Sequence, residues 1–195
     1  AITTGEQNTL IGSLAGDALT DADKNVAVGR SALSSDTLGS KSTAIGYSAL
    51  DTQNFTTATD SHNTAVGHLA GLSVTTGISN TIMGSLAGDA LTDADYNIAI
   101  GRDTLGTDTK GNKSVAIGSF ALKDQNFTSS TDAYNVAVGY DAGRTLTTGD
   151  KNVFVGGLAA DAITTGSRNV AIGYASLSSD DLGSRTVAIG FGALD

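Results

Sequence analysis

Short apolar triplets recur along this chain, each preceded by a polar residue, most often Asn, and closed by Gly. The full motif reads Asn-x-Ala-(Val/Ile)-Gly-x-x-Ala-(Gly/Leu), as in Asn25–Leu33 and Asn135–Gly143. Eleven copies are present, centred on Gly12, Gly29, Gly46, Gly67, Gly84, Gly101, Gly118, Gly139, Gly156, Gly173 and Gly190, with spacings of 17 or 21 residues. Position four of the motif is aliphatic or Met in every copy, position two is Val, Ile or Thr, and position three is mostly Ala. Successive side chains of a strand point to opposite faces, so this alternation predicts a short strand with a β-branched face and an alanine face. A helix is disfavoured because Gly recurs in every copy. A fixed short period predicts a stacked array, one rung per motif, with two short strands and two turns in each rung. At ~4.8 Å per rung, eleven rungs make a rod roughly 50 Å long. The aliphatic stripe at position four is the natural candidate for the interior. The alanine stripe, which admits close approach, is then expected to face a partner chain.

A longer period of 72 residues lies over the short one: Gly12 to Gly84 and Gly84 to Gly156 are each 72 apart. At every fourth copy the motif Asn is replaced, by Ser42, Ser114 and Thr186, and a basic residue precedes each (Lys41, Lys113, Arg185). The ninth position alternates between Gly or Ala (Gly16, Gly71, Gly88, Gly143, Ala160) and Leu (Leu33, Leu50, Leu105, Leu122, Leu177, Leu194). The chain therefore reads as one repeat domain, 1–195, of four-rung units at 8–79 and 80–151 and a partial unit at 152–195. Ile2-Thr3-Thr4-Gly5 matches the return half of a rung (Val74–Gly77, Leu146–Gly149), and Leu194-Asp195 falls in mid-rung. Repeat arrays normally carry capping segments, so a segment of a longer fibre is the expectation.

Composition narrows the partners. With no Cys there is no disulfide framework and no thiolate metal site. With no Pro, every backbone N–H can join a ladder. A net charge of −9 with no basic cluster in the sequence argues against nucleic acid and anionic membrane as partners, and no apolar run has the length of a membrane span. The recurring Asn predicts a ladder of stacked amides.

Candidate chemistry is sparse. His62 and His68 are the only histidines, and Tyr134 and Tyr140 stand at their places one unit later, so both histidines are expected to be polar side chains facing solvent. The acidic stretches Gly16–Asp23 and Gly88–Asp95 lack the Asp-x-Asp-x-Asp-Gly pattern of a calcium loop and read as solvated turns. The two 21-residue rungs carry Asp51–Thr56 and Asp124–Thr128, four added residues that predict a repeated bulge. Phe55 and Phe127 there either fill the wider core or offer rings to a ligand. Tyr47, Tyr140, Tyr174 and Phe191 follow the central Gly and are placed to stack on sugars. The candidate surface-binding residues are thus Phe55, Phe127, Tyr47, Tyr140 and Tyr174. No catalytic, cofactor-binding or metal-binding residue is assigned: there is no Trp, and no acidic pair stands out as a glycosidase would require.

Runs such as Ser114-Val115-Ala116-Ile117-Gly118, Asn169–Gly173 and Thr186–Gly190 resemble the head repeats of trimeric autotransporter adhesins (YadA-like heads). The longer form, closed by Thr-Thr-Gly, is also similar to repeats in phage tail fibres. The resemblance covers all eleven rungs and implies an all-β, left-handed parallel β-roll solenoid assembled as a homotrimer. Rungs of 17 and 21 residues depart from the adhesin pattern toward the phage-fibre side. The implied role is a non-catalytic structural and adhesive segment of a virion fibre or cell-surface adhesin. Its partners would be other copies of itself and a host-surface glycan or protein, without cofactor, nucleic acid or membrane insertion. Two alternatives make distinct demands. A polysaccharide-processing spike enzyme needs converging carboxylates. A monomeric ice- or surface-binding solenoid needs an unbroken Thr array, whereas position two carries Thr only at Thr9, Thr43, Thr64 and Thr81.

Overall fold

The computed structural model describes residues 2–195 and contains no helix among them. Fifteen short strands run in chain order, from β1 (Thr9–Ile11) and β2 (Val26–Val28) to β15 (Val187–Ile189). Eleven of them, one per motif, form a single sheet, parallel and in register throughout. Position three always pairs with position three, as in Ala27↔Ala44 and Ala116↔Ala137. The result is a parallel β-solenoid of about eleven turns, as the repeat predicts.

The second strand expected in every rung forms only at the long rungs. β3 (Gly39–Ser40) pairs with β5 (Thr59–Asp60), and β9 (Gly111–Asn112) with β11 (Thr131–Asp132). Elsewhere the return half is irregular, held by rung-to-rung backbone bonds such as Thr20 N–H to Thr37 O at 3.0 Å.

The two faces of the main sheet are the reverse of the sequence expectation. Ala27, Ala44, Ala65, Ala99, Ala116, Ala137 and Ala171 are completely buried inside the roll. Positions two and four point outward, half-buried or exposed on every strand. The reason is volume. The opposite wall of the rung supplies the bulk: Leu33, Leu50, Leu105 and Leu122 from the ninth position, and Leu19, Val74, Leu91, Leu146 and Ile163 from the turns, all fully buried. Across so narrow a cross-section the strand wall must be small, because interiors pack near crystal density and overpacking is as costly as a void.

The same volume rule explains the two rung types. A large residue occupies position three once per unit, at Leu10, Ile82 and Phe154, and there the ninth positions shrink. A Cβ on Gly143 would lie 2.6 Å from the Phe154 ring, and one on Gly71 would lie 3.0 Å from Ile82 Cδ1. Where position three is Ala both in a rung and in the rung after it, Leu returns to the ninth position. It does so in a left-handed conformation (φ 50° at Leu50, 48° at Leu122) that packing must stabilise.

The central glycines need their lack of a side chain in full. At Gly139 φ is 145°, and a Cβ would sit 2.3 Å from the carbonyl oxygen of Gly156 one rung along. Backbone passes over backbone at the first ten copies, so a side chain there collides with the next rung.

The Asn column is an amide-to-backbone ladder more than the stacked-amide ladder expected. Asn25 accepts from Ser42 N–H (2.8 Å) and donates through Nδ2 to Gly39 O (2.9 Å). Between asparagines of the column, direct amide–amide bonds join only Asn80 to Asn63 (3.3 Å) and Asn152 to Asn135 (3.2 Å) among the described residues. The long rungs, where Ser replaces Asn, supply a substitute. Gln53 donates to Ser42 Oγ (2.9 Å) and Asp36 Oδ2 (2.6 Å) and accepts from Asn63 Nδ2 (2.9 Å). Asp36 Oδ1 in turn accepts the backbone N–H groups of Gly39 (3.0 Å) and Phe55 (3.1 Å). Gln125, Ser114, Asp108 and Asn135 repeat the arrangement 72 residues later. The four extra residues thus bring in the polar groups that the missing Asn leaves unmet, satisfying a buried network.

Candidate interaction surfaces

The outward face of the main sheet carries no charged residue at positions two and four on any of its eleven strands, and its only polar side chains are threonines. Ile11, Ile45, Met83, Val155, Ile172, Val187 and Ile189 are exposed there. The Thr residues Thr9, Thr43, Thr64 and Thr81 lie in the first seven strands, and Val or Ile takes their place farther along.

Two columns of side chains frame this face. On the side where strands begin, the residue before the motif sits in a left-handed corner: Gln7, Lys24, Lys41, His62, Ser79, Tyr96, Lys113, Tyr134, Lys151, Arg168 and Arg185, with φ between 51° and 64°. Sequence order scatters these cations, but stacking gathers them into one column, so the absence of a basic cluster does not hold in three dimensions. Several have counter-ions. Lys41 meets Asp60 at 2.5 Å, Lys113 meets Asp132 at 2.6 Å, and Lys151 contacts Asp150. Hydrogen bonds from these lysines hold the carboxyls of Asp60, Asp132 and Asp150 below the usual range. Asp132, with help from Tyr134, raises the Lys113 ammonium.

On the side where strands end, aromatic and basic residues gather in groups separated by Ser85 and Gly157. Arg30 lies over the Tyr47 ring at 5.5 Å and donates to its hydroxyl at 3.0 Å, and Tyr47 stacks on His68 at 5.4 Å. One unit later Arg102 lies over Phe120, which meets Tyr140 edge-on at 5.9 Å. Tyr174 stacks on Phe191 at 5.6 Å. Tyr47, Tyr140 and Tyr174 are therefore exposed rings in one column, as the sequence places them. Phe55 and Phe127 are not available to a ligand: they are only 5% and 7% exposed and fill the wider cross-section of the long rungs. Phe120 and the basic residues around it escaped sequence reasoning, because Lys123 and Arg144 come from separate rungs and only stacking brings them to one ring.

Both histidines are exposed, His68 against Tyr47 and His62 in the basic column. Among the described residues no three His, Asp or Glu side chains converge as metal ligands, and no pocket is enclosed. In the acidic turns, burial raises the Asp89 carboxyl, with Asp103 adding to the shift. Burial likewise raises Asp161, with Asp141 and Asp195 contributing. No protein-family model, curated protein or solved structure matches this chain.

Proposed function

We propose that this chain is a segment of a homotrimeric fibre, non-catalytic, with a structural and adhesive role at a virion or cell surface. The observation that carries the reading is the outward sheet face: two uncharged, largely β-branched side chains on each of eleven strands, in line along the rod. Contiguous apolar patches of this extent mark interaction sites. Without the framing columns the strip measures roughly 50 Å by 10 Å, or about 500 Å² of projected area per chain, and the columns stay open on either side of it. A second copy presents the same strip with the same ~4.8 Å repeat, so side chains interdigitate in register along the whole length. Three copies is the number implied by the resemblance to YadA-like heads and phage fibre repeats. The partner-facing stripe is thus the β-branched one, and the alanines serve the interior of each roll.

Size-exclusion chromatography with light scattering tests the assembly. A mass of about three times 19.5 kDa is expected. A monomer with the native circular dichroism spectrum would overturn it.

A further inference from the structure

We propose that Arg102, Phe120, Lys123, Tyr140 and Arg144 form a binding subsite for a carboxylate-bearing saccharide. The inference rests on the adhesive reading above and assigns it a place and a ligand chemistry. Three cationic groups from three successive rungs converge on one ring. Arg102 and Arg144 guanidinium carbons and the Lys123 ammonium lie 5.3, 5.4 and 5.4 Å from the Phe120 centroid. Tyr140 meets the same ring at 5.9 Å and leaves 57% of its own surface exposed. Two of the cations are held by carboxylates, Arg102 by Asp103 at 3.0 Å and Arg144 by Asp141 at 3.5 Å. Lys123 has no carboxylate within ion-pairing distance among the described residues, so the patch keeps a net positive charge on a chain of net charge −9.

The internal duplication supplies a control. One unit earlier the positions of Asp103, Phe120, Lys123, Asp141 and Arg144 are held by Ser31, Ser48, Asp51, Leu69 and Leu72. The backbone there stacks through the same bonds, Leu69 N–H to Tyr47 O at 2.9 Å against Asp141 N–H to Ser119 O at 3.1 Å. The fold therefore does not require the patch. Phe120, Lys123, Arg144 and Asp141, linked by contact, and Asp103, which pairs with Arg102, all differ together, and one of the changes puts Lys where the first unit has Asp.

The chemistry selects the ligand. An exposed Tyr ring offers a flat apolar face to the C–H face of a pyranose. Guanidinium groups recognise carboxylates with paired, charge-assisted bonds. The patch is open, so it reads one side of an extended chain and binds weakly per site. Three copies on a fibre would then gain by multivalency. The acidic remainder of the surface is screened beyond about 8 Å at physiological salt.

Isothermal titration of the full chain with oligogalacturonate, and with a neutral galactan oligomer of matched length, tests the proposal. Binding of the uronate alone is expected, weakening with added salt. Reverting the patch to its first-unit residues (Asp103→Ser, Phe120→Ser, Lys123→Asp, Asp141→Leu, Arg144→Leu) should leave melting temperature and solution mass unchanged and weaken binding by at least about tenfold. Tyr140→Ala alone should weaken it about fivefold. The subsite is overturned if the parent does not bind the uronate, if the neutral oligomer binds equally, or if the reverted chain binds like the parent. Mass is read separately: a trimer that fails to bind sinks the subsite alone, whereas a monomer that binds sinks the trimeric assembly alone.

Discussion

Neighbouring residues on one strand, Ala137 and Val138, belong to two different problems. The alanine face closes a narrow interior against leucines from the far wall, and Ala137 keeps no exposed surface. The valine face has no intramolecular partner wall, and its side chains lie half-buried on the outside of the roll. The comparison teaches that hydrophobicity and burial can part company in a solenoid. The smaller, less hydrophobic residue is inside because the space is small, and the larger one is outside because the interior has no room for it.

The largest break in that comparison should come from Ala137→Asp. A carboxylate placed at a fully buried position has no cation or donor to meet it. The expected cost is about 3–5 kcal/mol, seen as a collapse of the thermal transition by circular dichroism. An unchanged transition would put the alanine face outside. Next is Gln125→Ala, also interior, which strips partners from Asp108 Oδ2 and Asn135 Nδ2. A loss of about 1–3 kcal/mol is expected in denaturant unfolding, because buried groups left unmet keep their desolvation cost. Val138→Asp should cost the isolated roll less than about 1 kcal/mol while reducing the solution mass from trimer to monomer. A variant that unfolds as readily as Ala137→Asp would erase the distinction between the faces.

The smallest effect lies off both faces, in the acidic turns. Burial raises Asp89 above 3.8, so its ionised form is disfavoured in the folded state. The protein therefore gains stability from this group as pH falls through the folded value toward 3.8, and Asp89→Asn removes that dependence. Because the group is partly solvated, the variant should be more stable at neutral pH by only a few tenths of a kcal/mol. The advantage should vanish in melts below 3.8. Asp60, Asp132 and Asp150 run the other way, since their lowered values mean stability lost on acidification through the folded value. The parent's overall pH profile is the sum of both, and only the difference between parent and variant isolates Asp89.

Much of this was legible in the sequence. The rung boundaries, the parallel register and the exposed Tyr column follow from spacing and alternation alone. What alternation cannot say is which face is inside: it groups Val136 with Val138 and separates both from Ala137, and either grouping satisfies a period of two. The deciding signal was present in the covariation of positions three and nine, where Phe154 coincides with Gly143 and Ala160, and Ala137 with Leu122 in the preceding rung. Side chains that trade volume must share a cavity. The Gln53–Asp36 network was hidden for a different reason: its members lie 17 residues apart, and nothing local marks Gln53 as the stand-in for a missing Asn.

The in-register stacking also shapes how the chain acquires its structure. Paired residues on the main sheet are 17 apart in most rungs, as in Val26↔Thr43, and 21 apart across a long rung, as in Thr43↔Thr64. Loop-closure entropy grows only with the logarithm of loop length, so each rung pays nearly the same sum wherever it lies. Relative contact order is then about 0.09, the range of helical bundles, although the sheet is wholly parallel. Parallel sheets ordinarily form slowly because their crossovers are long. Here, once two rungs have met, every later one is a local addition to a template, and a longer array would take longer to finish without becoming harder to begin.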